Sequence, residues 1–180
     1  QLRIARLLGG TEELAEIVAT GLPSGMQAVF MSISSLLIQY SINSFGADAA
    51  AGMVVFARVE GFLYYPAFSY GMALTGFIGQ NYGAHRMDRV KEGMKESVIT
   101  LSAFTVMASV ILMAAAPVIL KLFTTDPEIL ANGRQAIFCI FPFYFLYSIN
   151  QVYIGGLKGL GKTGFPMLCS LLCYCIFRVV

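Results

Sequence analysis

The stretch that decides the fold is Gly71-Met-Ala-Leu-Thr-Gly-Phe-Ile-Gly-Gln-Asn-Tyr-Gly-Ala-His-Arg-Met-Asp-Arg-Val90. It begins as an apolar helix, narrows to small residues and ends in a basic turn. The charges that follow have no place in hydrocarbon, so the stretch predicts a point where the chain leaves a membrane. Gly79 and Gly83, with Gln80 and Asn81 between them, lie four residues apart and predict a smooth helix face for close packing of a second helix.

Long uncharged segments lie on both sides of this exit. The chain is 57% hydrophobic and 12% charged, whereas soluble domains are about 25% charged. Each of the first four segments exceeds the roughly 20 residues that cross a bilayer core. The sequence therefore predicts an all-α, polytopic membrane bundle of about five spans. The segments without Lys, Arg, Asp or Glu are 17–47, 61–84, 97–120, 135–157 and a shorter one at 163–177.

Proline and acidic residues mark the expected helix ends and bends. Pro23 lies near the start of the first span, where its missing N–H costs least. Pro66 predicts a kink in the second span, and Pro142 predicts one in the fourth. Asp88 is expected to cap the third helix, and Thr125-Asp-Pro-Glu128 has the pattern of a helix N-terminus.

The predicted organisation is a short lead-in, residues 1–20, followed by a membrane domain, residues 21–180. The lead-in suits an amphipathic helix on the membrane surface as well as it suits a solvated linker. The first residue is Gln1, and the last apolar segment ends three residues before the C-terminus. We therefore expect the chain to be part of a longer polypeptide.

The positive charges are distributed unequally between the two sides of the predicted membrane. Alternating spans place eight cations on the side of the N-terminus and three on the other, with Arg58 inside a span. Positive charge marks the cytoplasmic side, so the N-terminus is expected inside, in a multi-pass protein of the inner (plasma) membrane. The eight are Arg3, Arg6, Arg86, Arg89, Lys91, Lys95, Lys158 and Lys162; the three are Lys121, Arg134 and Arg178.

Two motifs are set aside. Gly156-Leu-Lys-Gly-Leu-Gly-Lys-Thr163 matches the phosphate-loop pattern, but such a loop needs a buried strand before it, and here an apolar membrane segment precedes it. We expect a cytoplasmic turn instead.

His85 is the single histidine and has no neighbouring acids or cysteines, so no metal site is predicted. The net charge of +2 is too small to suggest a nucleic-acid partner.

Glu60 is the sharpest candidate for a functional residue. Carboxylates inside a membrane are rare and usually functional. Glu60 cannot reach the membrane surface as a long cation can, so it needs a cavity, a partner or a proton. Arg58 is a nearby charge, but two residues along a helix point to nearly opposite sides. Further candidates for substrate or ion contact are Tyr64 and the polar residues Gln27, Gln39, Asn43, Asn150 and Gln151.

Five motifs, in this order along the chain, resemble the second half of a bacterial multidrug and toxic compound extrusion (MATE) transporter. Each motif is weak alone, but the combination is specific and covers nearly the whole chain. They are Gly21-Leu-Pro-Ser-Gly-Met-Gln27, Ile42-Asn-Ser-Phe-Gly46, Arg58-Val-Glu60, Gly79-Gln-Asn-Tyr-Gly-Ala84 with Asp88-Arg-Val90, and Gly156–Thr163 with Pro166.

The resemblance implies a parent of twelve helices in two six-helix lobes, of which this chain resembles helices seven to eleven. It implies an antiporter rather than an enzyme, exporting drugs or organic cations by alternating access. Its partners would be the lipid bilayer, these small molecules and the N-terminal lobe of the same polypeptide. No cofactor is implied beyond a coupling ion, either sodium or a proton.

One residue departs from the family pattern. Several members carry a carboxylate in the seventh helix, about eight residues beyond the proline that matches Pro23, and here Met31 occupies that place. The ion site is therefore at Glu60, in the other lobe, or built differently. A lipid-linked oligosaccharide flippase of the same broad fold is the alternative function, and it predicts a more cationic cavity. A channel predicts a charged ring and an enzyme predicts clustered His, Asp or Ser, and neither pattern is present.

Overall fold

The computed structural model describes residues 11–172, and the regular structure in that range is entirely helical, as predicted. Turns of a few residues join most of the helices. The elements are α1 (Thr11–Ser44), α2 (Ala47–Gly83), α3 (Met87–Lys121), α4 (Pro127–Ile140), a 3-10 turn (Phe141–Phe143), α5 (Tyr144–Gly159) and α6 (Gly164–Ser170).

Three segments of the described chain are long and apolar enough to cross a membrane, namely Ile17–Ser44, Met87–Lys121 and Pro127–Gly159. Helix α2 has 37 residues but is not among them, because its tyrosines, glycines and three charged residues lower its mean hydropathy. The predicted fifth span begins in α6 and continues past the described residues. The all-α membrane bundle is thus confirmed, while the number of five spans stays a prediction.

The chain divides into two units, residues 38–160 and residues 1–37 with 161–180. In the second unit, residues 11–20 of the predicted lead-in form the first turns of α1, and residues 1–10 lie outside the described range. The predicted domain division at residue 20 stays a prediction. Both hydrophobic clusters lie within residues 38–160.

Helix α2 provides the centre of the packing within residues 38–160. Its buried residues follow one another at intervals of three or four, which places them on one face of the helix. They pack against α3, α4 and α5 in two hydrophobic clusters, the first around Leu63 and Phe141 and the second around Ile78 and Val152. The buried α2 residues are Gly52, Phe56, Val59, Leu63, Ala67, Gly71, Leu74 and Ile78.

Local sequence signals account for one of the two predicted helix N-caps and for the interruption of the fourth span at Pro142, where a kink was predicted. Asp126 is the N-cap of α4 and accepts hydrogen bonds from the Glu128 and Ile129 amides at 2.9 and 3.5 Å. The Phe141–Phe143 turn, with Pro142 at its centre, separates α4 from α5, because proline cannot continue the hydrogen-bond ladder. The prediction for Asp88 is wrong: the N-cap of α3 is Arg86, and Asp88 lies inside the first turn.

Helices α2 and α5 run parallel and stay in register. Contacting residues of the two helices are 80 to 84 positions apart: Glu60 and Tyr144 are separated by 84 positions, as are Gly71 and Gly155, and Tyr64 and Tyr147 by 83. A Cβ atom on Gly155 would overlap the backbone of Gly71, and one on Gly159 would lie 2.7 Å from the Thr75 carbonyl oxygen. Only glycine permits this approach. We call Gly71, Thr75, Gly155 and Gly159 the glycine contact.

The predicted packing surface at Gly79 and Gly83 differs from this contact. A Cβ on Gly79 would lie 3.5 Å from the Gly159 carbonyl oxygen, which is an ordinary contact. A Cβ on Gly83 would have nothing within 4 Å, so the prediction is wrong for that residue within the described chain. Between them, Gln80 is exposed and Asn81 donates to the Phe77 carbonyl of its own helix at 2.8 Å.

The phosphate-loop pattern adopts a structure that no phosphate loop has. Gly156 to Gly159 form the last turn of α5, and the chain turns through Gly161, whose φ is +75°. A phosphate loop instead follows a strand and leads into a helix. The structure therefore agrees with our rejection of nucleotide binding at this motif.

Candidate functional site

Glu60 lies at the interface of α2 and α5 and accepts a hydrogen bond from Tyr144. The Tyr144 hydroxyl is 3.2 Å from Glu60 Oε1. Glu60 is half-buried beside the fully buried Val59, while Tyr144 is only 5% exposed. Of the three ways to accommodate this carboxylate that the sequence left open, the structure thus shows a partner. A hydrogen bond to a charged acceptor is stronger than one to a neutral acceptor.

Tyrosine rings surround this pair. Tyr64, one turn beyond Glu60 on α2, stacks on Tyr147 of α5 with ring centroids 5.5 Å apart. The Tyr147 ring in turn lies 5.2 Å from the Tyr144 ring. Tyr64 also stacks on Phe68, at 6.0 Å and nearly parallel. The carboxylate therefore lies beside a group of packed aromatic rings, a type of side chain whose negative quadrupole attracts cations.

Gln151 completes the site. Its side-chain amide donates to the Tyr147 hydroxyl, and its backbone carbonyl packs against Gly71. Glu60, Tyr64, Tyr144, Tyr147 and Gln151 form what we call the tyrosine cluster. The α2 members are spaced i, i+4 and the α5 members i, i+3, i+7, so each set occupies one face of its helix.

A buried hydroxyl pair fixes the back of α5 against α3. Thr105 Oγ1 donates to the Leu101 carbonyl at 2.6 Å and lies 2.5 Å from Ser148 Oγ. Because the single Thr105 hydroxyl proton is used on Leu101, Ser148 is the donor in the second bond. Ser148 follows Tyr144 by one turn, so this pair helps to fix the helix that presents the tyrosines.

The other predicted site residues lie outside the cluster. Arg58 and Asn150 are exposed on α2 and α5. Gln39 donates to Asn43 at 2.9 Å on the exposed surface of α1. Gln27 is 5% exposed, in the unit that contains the beginning of α1. Contacts of these residues with a substrate or ion stay predictions. Pro23 lies inside α1, which begins at Thr11, so the prediction that Pro23 is near a helix start is wrong. Pro66 lies inside the continuous helix α2.

Tyr144 and Tyr147 are not among the site residues predicted from the sequence. A signal was present, since Tyr144, Tyr147 and Gln151 share one face of the fourth predicted span. That signal was weak because tyrosines commonly serve packing or lie at the membrane interface. Their role depends on facing Glu60 from a helix 84 positions away, and the sequence does not show that pairing.

The tyrosine cluster has the chemistry of a cation site. It contains one carboxylate, three phenol hydroxyls and one amide, and no cationic residue is a member. A cation that enters it can pair with Glu60 and stack on the rings. The described residues contain no group of three or more His, Cys, Asp or Glu suited to a metal ion. The site therefore fits an organic cation, a small monovalent ion or a proton.

Known proteins are similar to most of the chain. Residues 23–180 match the model of the MatE family. The chain is 26% identical, over 157 residues, to the probable multidrug resistance protein NorM of Thermotoga maritima, covering 87% of this chain and 34% of that protein. It is 23% identical, over 160 residues, to the probable multidrug resistance protein YoeA of Bacillus subtilis, covering 89% and 35%. The chain thus spans about a third of the length of these curated relatives.

Proposed function

Because the chain belongs to the MatE family, we propose that it forms most of the C-terminal lobe of a secondary-active antiporter that exports drugs or organic cations. The names of the relatives, which are resistance proteins, support export of drugs. The N-terminal lobe of the same polypeptide would supply the other wall of the transport path. Alternating access would then expose the tyrosine cluster first to one side of the membrane and then to the other.

The observation that carries this proposal is the hydrogen-bonded carboxylate among tyrosines. Glu60, held by Tyr144, can bind an organic cation in one state and the coupling ion in the other, because both neutralise the same charge. Competition for one carboxylate makes the two fluxes opposite and linked. Tyr64 and Tyr147 stack on each other, and a cation that enters between them would meet flat aromatic faces without specific hydrogen bonds.

The chemistry of the cluster favours cation export over lipid-linked oligosaccharide flipping. A flippase for a pyrophosphate-linked lipid needs cations in its cavity to pair with the phosphates. The cluster instead contains an acid, and Arg58 is exposed outside it. The coupling ion is sodium or a proton. The gradient whose removal stops dye export from vesicles identifies which of the two it is.

The test is the Glu60→Gln variant of the complete transporter that contains this chain. It keeps the shape of the side chain and removes its charge, so export of cationic dyes should fall roughly ten- to hundredfold, the loss expected for a charged hydrogen bond. Glu128→Gln, an identical change at an exposed position of α4, is the control and should leave export unchanged. Undiminished, gradient-dependent export by Glu60→Gln at normal membrane levels would overturn the proposal.

We also propose an inner-membrane location with the N-terminal end of this chain on the cytoplasmic side. The support is the unequal distribution of Lys and Arg between the two sides. A cysteine at Lys91, in the first turns of α3, should react with an impermeant label only from the cytoplasm. A cysteine at Asp126, in the turn between α3 and α4, should react only from outside. The reverse pattern would contradict the orientation.

A further inference from the structure

A cleft of about 340 Å³ lies where α3 ends and α4 begins. Two prolines and two leucines, Pro117, Leu120, Pro127 and Leu130, form its apolar walls. The prolines restrict the backbone at both sides, so the cleft has a defined shape. It belongs entirely to residues 38–160 and is separate from the tyrosine cluster, which lies between α2 and α5.

Two cations line the same cleft. Lys121 is the last residue of α3, and Arg134 lies in the second turn of α4. The Arg134 guanidinium is placed over the Phe138 ring, 5.5 Å from its centroid, which restrains an otherwise mobile side chain. No acidic residue lines this cleft. The carboxylate of the nearby Asp126 is occupied by the amides at the start of α4.

The position of the cleft relative to the membrane indicates what occupies it. One candidate span ends at Lys121 and the next begins at Pro127, so the cleft lies at the level where lipid headgroups meet hydrocarbon. Lys121 and Pro127 lie at this boundary, while Pro117, Leu130 and Arg134 lie further along α3 and α4 toward the apolar region, Arg134 about 10 Å from Pro127 along the helix axis. The long Arg134 side chain can extend back toward the boundary. A ligand that fits must be anionic at one end and apolar at the other.

We propose that this cleft is a binding site for an anionic phospholipid. The lipid phosphate would pair with Lys121 and with the Arg134 fork, which suits phosphate oxygens. The upper part of an acyl chain would lie against Pro117, Leu120 and Leu130. The bound lipid would span the turn between α3 and α4 and hold the two helix ends together.

The experiment uses the complete purified transporter in mild detergent. Binding of phosphatidylglycerol is measured by native mass spectrometry and compared with binding of phosphatidylcholine that has the same acyl chains. The double variant Lys121→Gln/Arg134→Gln should weaken phosphatidylglycerol binding roughly twenty- to thirtyfold, about fivefold for each charge, and leave phosphatidylcholine unchanged. Both side chains are exposed, so the variant should fold normally.

A matched control and a second variant separate the two halves of the site. Lys91→Gln/Lys95→Gln removes two exposed cations at the other end of α3 and should leave phosphatidylglycerol binding unchanged. Ala131→Phe fills the cleft while keeping both cations. It should weaken phosphatidylglycerol binding roughly tenfold, the effect of removing about two methylene groups from contact.

Two outcomes would overturn the proposal. One is phosphatidylglycerol binding by Lys121→Gln/Arg134→Gln at the wild-type affinity. The other is full displacement of phosphatidylglycerol by millimolar inorganic phosphate together with no effect of Ala131→Phe, which would make the cleft a site for free anions. Retained selectivity for phosphatidylglycerol in the presence of phosphate supports the lipid.

Discussion

Helices α2 and α5 meet in two places, about 16 Å apart along the helix axis, and the two contacts are made of different groups. At the glycine contact the backbones themselves touch, and Thr75 Oγ1 donates to the Gly155 carbonyl at 3.1 Å. At the tyrosine cluster large side chains fill the space between the same two helices. The register of the pair is the same at both places, since Gly71 faces Gly155 as Glu60 faces Tyr144.

The glycine contact holds the two helices in place, whereas the tyrosine cluster can respond to a ligand. A contact between backbones has no side chain that can rotate, so it fixes the relative position of α2 and α5. The cluster consists of rings, a carboxylate and an amide, which can change hydrogen-bond partners without moving either helix. Gln151, a member of the tyrosine cluster, connects the two, because its carbonyl packs on Gly71 while its side-chain amide donates to Tyr147.

The largest effect is expected at the glycine contact. Gly155→Leu places a side chain where a Cβ alone already overlaps the Gly71 backbone. Since backbone cannot rotate away, we expect a loss of about 3 kcal/mol or more and little folded transporter. Fluorescence-detected size exclusion and thermal unfolding measure this. The control, Gly83→Leu, adds the same side chain at a position with nothing within 4 Å and should accumulate normally. Equal yields of the two variants would contradict the assignment of the contact.

The sequence predicted the helices better than it predicted their contacts. Asp126 and Pro142 act on their own helix termini, so the Thr125–Glu128 and Pro142 signals located them correctly. The glycine contact depends instead on which small residues meet across a separation of 84 positions. Gly155 and Gly159 have the same four-residue spacing as Gly79 and Gly83. Spacing alone therefore does not show which of these two glycine pairs lies at a close helix contact, and the fold is needed to distinguish them.

Only part of the candidate site could be predicted from the sequence, because the rest depends on contacts between helices that are distant in sequence. Glu60 was identified from its rarity as an intramembrane acid, and Tyr64 and Gln151 were also selected. Arg58 is close to Glu60 in sequence, but two residues on a helix face different directions, and the structure leaves it exposed. Tyr144 and Tyr147 were missed because their significance comes from facing a carboxylate on another helix.

An intermediate effect is expected from Tyr144→Phe, which keeps the ring and removes the hydroxyl that donates to Glu60. Loss of a hydrogen bond to a charged group should weaken dye binding about tenfold. The protein level should stay close to normal, because the helices are held at the glycine contact. Dye binding to the purified complete transporter measures the change. Tyr153→Phe, an exposed change on the same helix, is the control. Wild-type affinity in Tyr144→Phe would show that Tyr144 has no part in the site.

The smallest effect is expected from Thr75→Val, which removes one hydroxyl from the glycine contact and keeps the shape of the side chain. That hydroxyl donates to the carbonyls of Gly71 and Gly155 at 3.0 and 3.1 Å. Both carbonyls lie within helices and can accept backbone bonds there, so neither is left unsatisfied. Hydrogen bonds between membrane helices average about 0.6 kcal/mol, and the melting temperature should fall by at most about two degrees.

Thr75→Ser, which keeps the hydroxyl, should melt at the wild-type temperature, and dye export should be unchanged in both variants. This result would show that backbone contact, rather than the hydrogen bond, holds α2 against α5. A loss of folded protein in Thr75→Val as severe as that in Gly155→Leu would reverse this order of contributions. A change in which dyes Thr75→Val exports would instead show that the glycine contact shapes the tyrosine cluster. The glycine contact and the tyrosine cluster would then not act independently.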